Sequence, residues 1–388
     1  MRRFAAVLGV LTALLVVAAV LAGPLARFLD TRLNRVGPSD LRVSTAALEL
    51  HGRLWIADLH CDASLWDRNL IARAQRGQVD LPRLREGNVA LQVFSFPNAY
   101  PLAANYRRTL ASPDVLGWSA LANGWPRSTW RSPTQRALFQ ARRVHEAAVA
   151  SNGALFVVTR ARTLASLARD RDIVGRPIAA IFAVEGLHFG RDEIDAVDRM
   201  FASGVRVFGL SHMSDNAIAG SAHGWKKPGL THFGRRVVAR IDSLGGIVDL
   251  AHASEATIDD VLSTSSVPVL VSHTGVDGTC PGERNLSDDQ LARIAARGGV
   301  IGIGFWEGAV CGEDAAAIAR AMRHAVGIAG LEAVALGSDF DGAVRTPFDA
   351  ANLAVLTEAL MREGFHAPEI ARIMGLNVFE YFLRELPQ

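Results

Sequence analysis

Ile56-Ala57-Asp58-Leu59-His60-Cys61-Asp62 is a short apolar run that ends in His-x-Asp. Side chains in a strand alternate between its two faces, so His60 and Asp62 project together while Cys61 projects the other way. An imidazole and a carboxylate at one strand end make half of a metal site. An isolated His-x-Asp is more often a surface pair or a satisfied buried one. Its meaning therefore depends on whether the rest of the chain brings further ligands to the same point.

From that run onward, apolar stretches alternate with helical patterns. Counting Leu54–Leu59 as the first, the others are Val89–Ser95, Ile178–Val184, Val205–Leu210, Gly246–Leu250, Val267–Val271, Gly299–Gly304 and Val334–Gly337. Between them, Phe233–Leu244 carries Phe233, Val237, Val238 and Ile241 at helical spacing and stops at Gly245-Gly246. Asp288–Arg297 does the same with Leu291, Ile294 and Ala295 and stops at Gly298-Gly299, glycine being the expected residue after a helix end. Eight strand-helix alternations predict an α/β fold, a parallel (β/α)₈ TIM barrel. The runs are continuous rather than alternating, which fits strands covered on both faces.

The spacing is regular in the second half and irregular in the first. The stretch from Pro97 to Pro177 holds Trp118, Trp125 and Trp130, a predicted helix from Pro133 to about Ala150 and a short apolar run at Leu155–Val158. It is expected as an insertion, or an extra βα unit, over the barrel mouth. Residues 45–388 are thus expected to form one barrel domain with an insertion at about 97–177.

Composition agrees. With 388 residues, 49% of them hydrophobic and 21% charged, the chain has ample material for one large barrel. The net charge of +2 is small and Lys and Arg are scattered, which argues against a nucleic-acid face.

The beginning of the chain is a separate matter. After Arg2 and Arg3, Phe4 to Ala26 contains no charged residue. About 22 apolar residues at ~1.5 Å rise span the ~30 Å hydrocarbon core of a bilayer, longer than the roughly 7–15 residues of a secretory core. Residues 1–26 are therefore expected as an uncleaved signal anchor or transmembrane helix. Arg2 and Arg3 would stay cytoplasmic and the catalytic body extracytoplasmic, the alternative being cleavage to a secreted or periplasmic form. Residues 27–44 look like a polar linker. Cys280 and Cys311 follow predicted strands in neighbouring loops, and in an exported domain they are expected to pair, against the alternative of two free thiols.

The strand ends carry the chemistry. In a (β/α)₈ barrel these ends converge on one face. They bring His60 and Asp62, Glu185, His212, His252, His273 and Asp339, so four of the eleven histidines end strands. Any single one is more often structural. Seven together, without a metal, would crowd carboxylates and imidazoles at high cost. Imidazole and carboxylate donors without thiolate suit zinc ahead of manganese, cobalt or iron. The set is too large for one tetrahedral ion, and two ions at about 3.5–4 Å, with Glu185 between the two groups as bridge, fit better.

Taken in order, further pieces make the resemblance specific. They are His60-Cys61-Asp62, Val184-Glu185-Gly186, Leu210-Ser211-His212, Gly229-Leu230-Thr231-His232-Phe233-Gly234 and Asp249-Leu250-Ala251-His252. Ser272-His273, Arg284-Asn285-Leu286-Ser287-Asp288 and Gly337-Ser338-Asp339-Phe340-Asp341-Gly342 complete them. Over roughly residues 54–384 the chain resembles the membrane dipeptidase (renal dipeptidase) family, metallopeptidase family M19, on a metal-dependent amidohydrolase-like barrel.

The resemblance implies a zinc-dependent dipeptidase that attacks the peptide carbonyl with a metal-bridging hydroxide and accepts dipeptides, including those with a D-residue at the C-terminal position. It implies one zinc on His60, Asp62 and Glu185 and a second on Glu185, His252 and His273. Asp339 would be the catalytic proton shuttle and His212 the contact to the substrate carbonyl oxygen. Arg284 would grip the free C-terminal carboxylate, against the alternative of a surface ion pair with Asp288 or Asp289. Asp341 reads better as a loop-capping carboxylate. Family members commonly form homodimers, though no interface signal stands in the sequence.

Met213–Gly220 and Thr274-Gly275-Val276 depart from the commonest family pattern, which bears on the side chains accepted. Two alternatives stand beside the peptidase. One is a related hydrolase of N-acyl amino acids, lactones or β-lactams. The other is a silent binding barrel, against which the complete ligand set argues.

Overall fold

The computed structural model describes residues 23–37, 41–111, 113–171 and 176–388. Nine parallel strands form one sheet: β1 (Ile56–Cys61), β2 (Val89–Pro97), β3 (Leu155–Val157), β4 (Ile178–Glu185), β5 (Val205–Gly209), β6 (Ile247–Asp249), β7 (Val269–Thr274), β8 (Ile301–Ile303) and β9 (Val334–Leu336). Eight of them close a ring. β1 pairs with β9 through Asp58 and Leu336, and β2 pairs with β4 from Leu91–Ala179 to Pro97–Glu185. β3 pairs only with Ile178, Ala179 and Ala180 of β4, whereas β5 pairs with Phe182 to Val184, so the ring closes without β3. The closed parallel ring with its helices is the architecture of a (β/α)₈ barrel. The ring strands are buried along their whole length, and this is why they appear in the sequence as unbroken apolar runs.

The extra strand accounts for the irregular first half. Helix Pro133–Ala150 leads into β3, and helix Ala161–Asp170 follows it. The segment before that helix, around Tyr100 to Asp114, lies over the strand ends. There Thr109 donates its amide to the His223 carbonyl at 2.7 Å.

Local signals set the helix limits. Thr231 caps helix His232–Ser243 by accepting from the Gly234 amide, and Gly245 beyond its end has φ +72°. Ser287 and Gln290 form a reciprocal capping box on helix Asp288–Ala296, with Gly298 at φ +71° beyond it. The last helix, Asn377–Glu385, closes the N-terminal ends of the strands. Asn377 donates to the Val334 carbonyl at 2.9 Å, and Tyr381 donates to that of Val269 at 2.7 Å.

The anchor expected over residues 1–26 falls almost wholly outside the described residues. Among the described residues no helix is long and apolar enough to cross a membrane. The described part of the expected linker lies on the barrel. Asp30 is buried, Asn34 Oδ1 accepts from the Ala343 amide at 2.9 Å, and Gly37 donates to the Thr346 carbonyl at 2.7 Å. Cys280 and Cys311 form a disulfide, joining the loops after β7 and β8, while Cys61 is a free, buried thiol.

Candidate metal centre

The C-terminal ends of six ring strands bring the expected residues to one place. His60 is the fifth residue of β1, Asp62 follows its end, Glu185 ends β4 and His273 is the fifth residue of β7. His212 and His252 each stand three residues beyond β5 and β6, and Asp339 stands three residues beyond β9. All seven are at least nine-tenths buried. His252 and Asp339 have φ of +61° and +59°, left-handed values that cost a non-glycine residue roughly 1–3 kcal/mol and aim their side chains off the strand line. Sequence spacing gives no hint of that turn.

Glu185 lies at the middle. Its Oε1 is 3.0 Å from His252 Nε2, 3.5 Å from His273 Nε2 and 3.7 Å from His60 Nε2, and its Oε2 is 3.6 Å from His212 Nε2. His60 Nε2 also faces Asp62 Oδ1 at 3.4 Å and Asp339 Oδ1 at 3.9 Å. Among the described residues, three groups have ligand atoms within 4.8 Å of one another: His60 with Glu185 and His273, Glu185 with His212 and His252, and His60 with Asp62 and Asp339. They divide the donors differently from the implied split into two threes. His60 and Glu185 each serve two groups, and Asp339 and His212 enter as well.

Electrostatically the cluster is short of positive charge. Burial pulls the His60 pKa down, but Glu185, Asp62 and Asp339 together raise it to about 10. Burial and then Glu185 push Asp62 up to about 7, and burial pushes Asp339 well above the carboxylate range. His252 and His273 are pulled well below 6.5, first by burial and then by nearby cations led by Arg284 for His252 and His60 for His273, which keeps both rings neutral. His60 Nε2, Asp62 Oδ1 and His252 Nδ1 are buried with no hydrogen-bond partner among the described residues. Convergent carboxylates, neutral imidazoles and unpartnered donor atoms are the features of a set that fits divalent metal.

Beside the cluster opens a cavity of about 190 Å³, lined among others by Asp62, Glu185, His212, His273, Arg284 and Asp339. Arg284 is buried, donates Nη2 to the His273 carbonyl at 2.7 Å and stands over Trp306. It is not in a surface pair: Asp288 pairs with His324 and Asp289 with Arg293. A second cavity, of about 410 Å³, meets the first at Arg284 and His252. His212 Nδ1 lies 3.3 Å from the Ala99 carbonyl oxygen, so a neutral ring carries its proton there and presents a lone pair at Nε2. Asp341 stays outside the cluster. It accepts from the Gln78 and Val79 amides at 2.8 and 3.1 Å and pairs with Arg68 at 2.7 Å.

Several residues of the site escaped sequence reasoning. Asp58 lies two positions before His60, and alternation puts it on the same face. Its carboxylate takes Ser338 N and Oγ at 2.8 and 2.7 Å and Gln92 Nε2 at 2.8 Å beneath the cluster. Asp249 does the same under β7 through the Ser272 amide at 2.9 Å. The alternation signal was available for Asp58; for His223, fully buried in the cavity wall with neither ring nitrogen in a hydrogen bond of good geometry among the described residues, none was.

A parallel barrel with imidazoles and carboxylates converging on its mouth defines a metal-binding class of barrel site. A family model described as membrane dipeptidase (peptidase family M19) matches residues 45–384. The chain belongs to that family.

Among its relatives, an uncharacterized dipeptidase of Schizosaccharomyces pombe is 33% identical over 214 residues, 52% of this chain and 51% of that protein. The dipeptidase verJ of Clonostachys rogersoniana is 33% identical over 208 residues, 52% of this chain and 54% of that protein. The match thus spans about half the length of these curated relatives. A crystal structure of a metallo peptidase from Rhodobacter sphaeroides, liganded with a phosphinate mimic of the dipeptide L-Ala-D-Ala, superposes with a TM-score of 0.73 at 24% identity, covering 86% of this chain and 99% of that one. A probable dipeptidase from Pseudomonas aeruginosa, PvdM, gives 0.71 at 18% identity, covering 88% and 97%. At these identities the likeness shows the fold.

Proposed function

We propose that the chain is a zinc-dependent dipeptidase. The observation that carries this reading is the buried Arg284 in one cavity with the Glu185-centred cluster, since it pairs a carboxylate clamp with a hydrolytic centre. Family membership and the phosphinate dipeptide mimic bound by the Rhodobacter sphaeroides protein support it.

His60, Asp62, Glu185, His252 and His273 would hold two zinc ions, with Glu185 shared between them. When bound, the metal supplies water acidic enough to react as hydroxide near neutral pH, together with positive charge for a carbonyl oxygen. Arg284 takes the substrate's C-terminal carboxylate in a two-pronged bond and sets the peptide plane. Asp339, buried beside the cluster with Oδ1 3.9 Å from His60 Nε2, would accept a proton from the attacking water and pass it to the leaving amine. His212 contacts the carbonyl oxygen. Donation from its Nε2 requires the imidazolium, which Glu185 favours and burial opposes.

We further propose a membrane-tethered protein with an extracytoplasmic body, motivated by the uncharged Phe4–Ala26 stretch behind Arg2-Arg3 and by the disulfide. N-terminal sequencing of the membrane-fraction protein checks it: a mature chain starting beyond residue 26 overturns the anchor.

The activity test is direct. Protein carrying two zinc ions per chain is incubated with a dipeptide panel that includes D-residues at the C-terminal position, and released amino acids are measured. Release supports the proposal, and none across the panel sinks it.

A further inference from the structure

One hydroxyl touches both halves of the cluster. Ser272 Oγ lies 3.1 Å from His60 Nδ1 and 2.9 Å from His273 Nδ1, and the two imidazole centroids are 3.9 Å apart. Ser272 is fully buried on β7. Behind it, the Asp249 carboxylate accepts from the Ser272 and Ala251 amides at 2.9 Å and also bonds to the Ser272 hydroxyl. The backbone there cannot shift easily. A Cβ on Gly302 of β8, or on Gly337 just beyond β9, would come within 2.2 Å of the Ser272 carbonyl oxygen, so backbone from both presses against it.

Donor counting sets the proton positions. A serine hydroxyl has one proton to give and two lone pairs to accept with. Asp249 accepts from two backbone amides, which favours its carboxylate form, and a carboxylate has only lone pairs to offer, so it takes the proton. In their neutral, metal-ligating form both imidazoles must then donate Nδ1–H to the same oxygen, which leaves Nε2 of each as a lone pair. Those are the nitrogens that face Glu185 and Asp62. We infer that Ser272, backed by Asp249, is a positioning residue that fixes the tautomer and ring orientation of His60 and His273 together, so that one side chain governs metal binding in both halves of the centre. This deepens the metallopeptidase reading and rests on its ligand assignment.

Outer partners of this kind typically change metal affinity by about 10–100-fold. The test is zinc affinity by chelator competition on the full-length wild type, Ser272→Ala and Ser272→Thr, with zinc counted per chain. Ser272→Ala should weaken both bound zincs by about 10–100-fold, and Ser272→Thr, which restores the hydroxyl, should recover most of the loss. A Ser272→Ala protein within twofold of wild type, or weakened at one zinc only, overturns the inference. Should Ser272→Ala fail to fold, nitrogen NMR of the zinc-loaded wild type decides. Protons on Nδ1 of both His60 and His273 support the assignment; an Nδ1 without one refutes it. Neither measurement involves peptide hydrolysis, so a protein that binds zinc as described but cleaves no dipeptide leaves this inference standing while the activity proposal falls.

Discussion

His252 Nε2 and His273 Nε2 stand 2.9 Å apart, both facing Glu185 Oε1. Two imidazole nitrogens held this close, on rings that burial keeps neutral, converge on one position. If Glu185 serves both halves, removing it should cost more metal than removing a single histidine. We expect Glu185→Ala to hold fewer than one zinc per chain and His252→Ala about one. Asp339→Asn should keep both while losing about 10²–10⁴-fold in kcat. Metal analysis alongside kinetics checks all three, and two zincs retained in Glu185→Ala would exclude the shared role.

Proton release should accompany metal binding. In the metal-free protein His60 has its pKa raised from 6.5 to about 10, so at pH 7 it carries a proton that must leave before Nε2 can ligate. Apparent affinity should therefore climb as pH rises toward 10. The metal-free fold should respond in the opposite sense. A raised folded-state pKa gives stability that is fully present below about 6.5 and is lost as pH rises through 10. Calorimetry in buffers of different ionisation enthalpy measures the first effect, and denaturant melts of metal-free protein measure the second. Zinc binding that takes up protons at pH 7 contradicts the assignment.

Arg284 should discriminate substrates by their carboxylate. Truncating one partner of a buried charged pair costs about 2–5 kcal/mol. Arg284→Ala should thus lower kcat/KM for free dipeptides by about 10²–10³-fold, and hardly alter it for amidated dipeptides or for lactones. Equal losses on all substrates would indicate that the loop rather than the clamp was damaged. A protein that prefers lactones or β-lactams from the start would favour the related-hydrolase alternative.

Much of this was legible in the chain because burial on both strand faces leaves a one-dimensional mark. The eight ring strands were visible as continuous apolar runs, and β3 only as a short one. Its three residues pair with part of β4 and never join the ring. The ligand set was legible because polar residues ending apolar runs stand out. Asp58 was hidden by the same logic: it lies inside a run, where its hydrogen bonds to Ser338 and Gln92 replace apolar packing. The left-handed turns at His252 and Asp339 and the sharing of Ser272 between two rings depend on tertiary approach. No local pattern encodes them.

His223 offers a trade between stability and binding. Its ring lies 5.2 Å from those of Tyr106 and His252, and among the described residues neither nitrogen has a hydrogen-bond partner of good geometry. Burial first, and then the nearby Arg284 charge, hold its pKa down to about 3, so it stays neutral. An unsatisfied buried polar group costs about 1–3 kcal/mol. His223→Phe should therefore leave metal content unchanged, keep or raise the melting temperature, and raise KM for dipeptides by roughly tenfold. An unchanged KM would mean that the substrate does not reach this wall.

The loop that carries Asp339 is braced from the N-terminal side. Arg68 Nη2 pairs with Asp341 Oδ2 at 2.7 Å and Arg68 Nε with Asp30 Oδ2 at 3.3 Å, while Arg76 reaches Asp30 at 2.7 Å. The Arg68, Asp341 and Asp30 side chains are all at most 2% exposed. Removing one member of such a buried set strands the others and typically costs about 3–5 kcal/mol. Arg68→Ala should lose about that much by denaturant melt, because the buried Asp341 loses its cation and Asp30 keeps only Arg76. Asp30→Asn leaves Arg68 paired with Asp341 and should cost less. Since Asp341 is two residues from Asp339, we also expect Arg68→Ala to lower kcat more than it changes zinc content. Equal stability of Arg68→Ala and wild type would show that the segment around Asp30 rests on the barrel without bracing that loop.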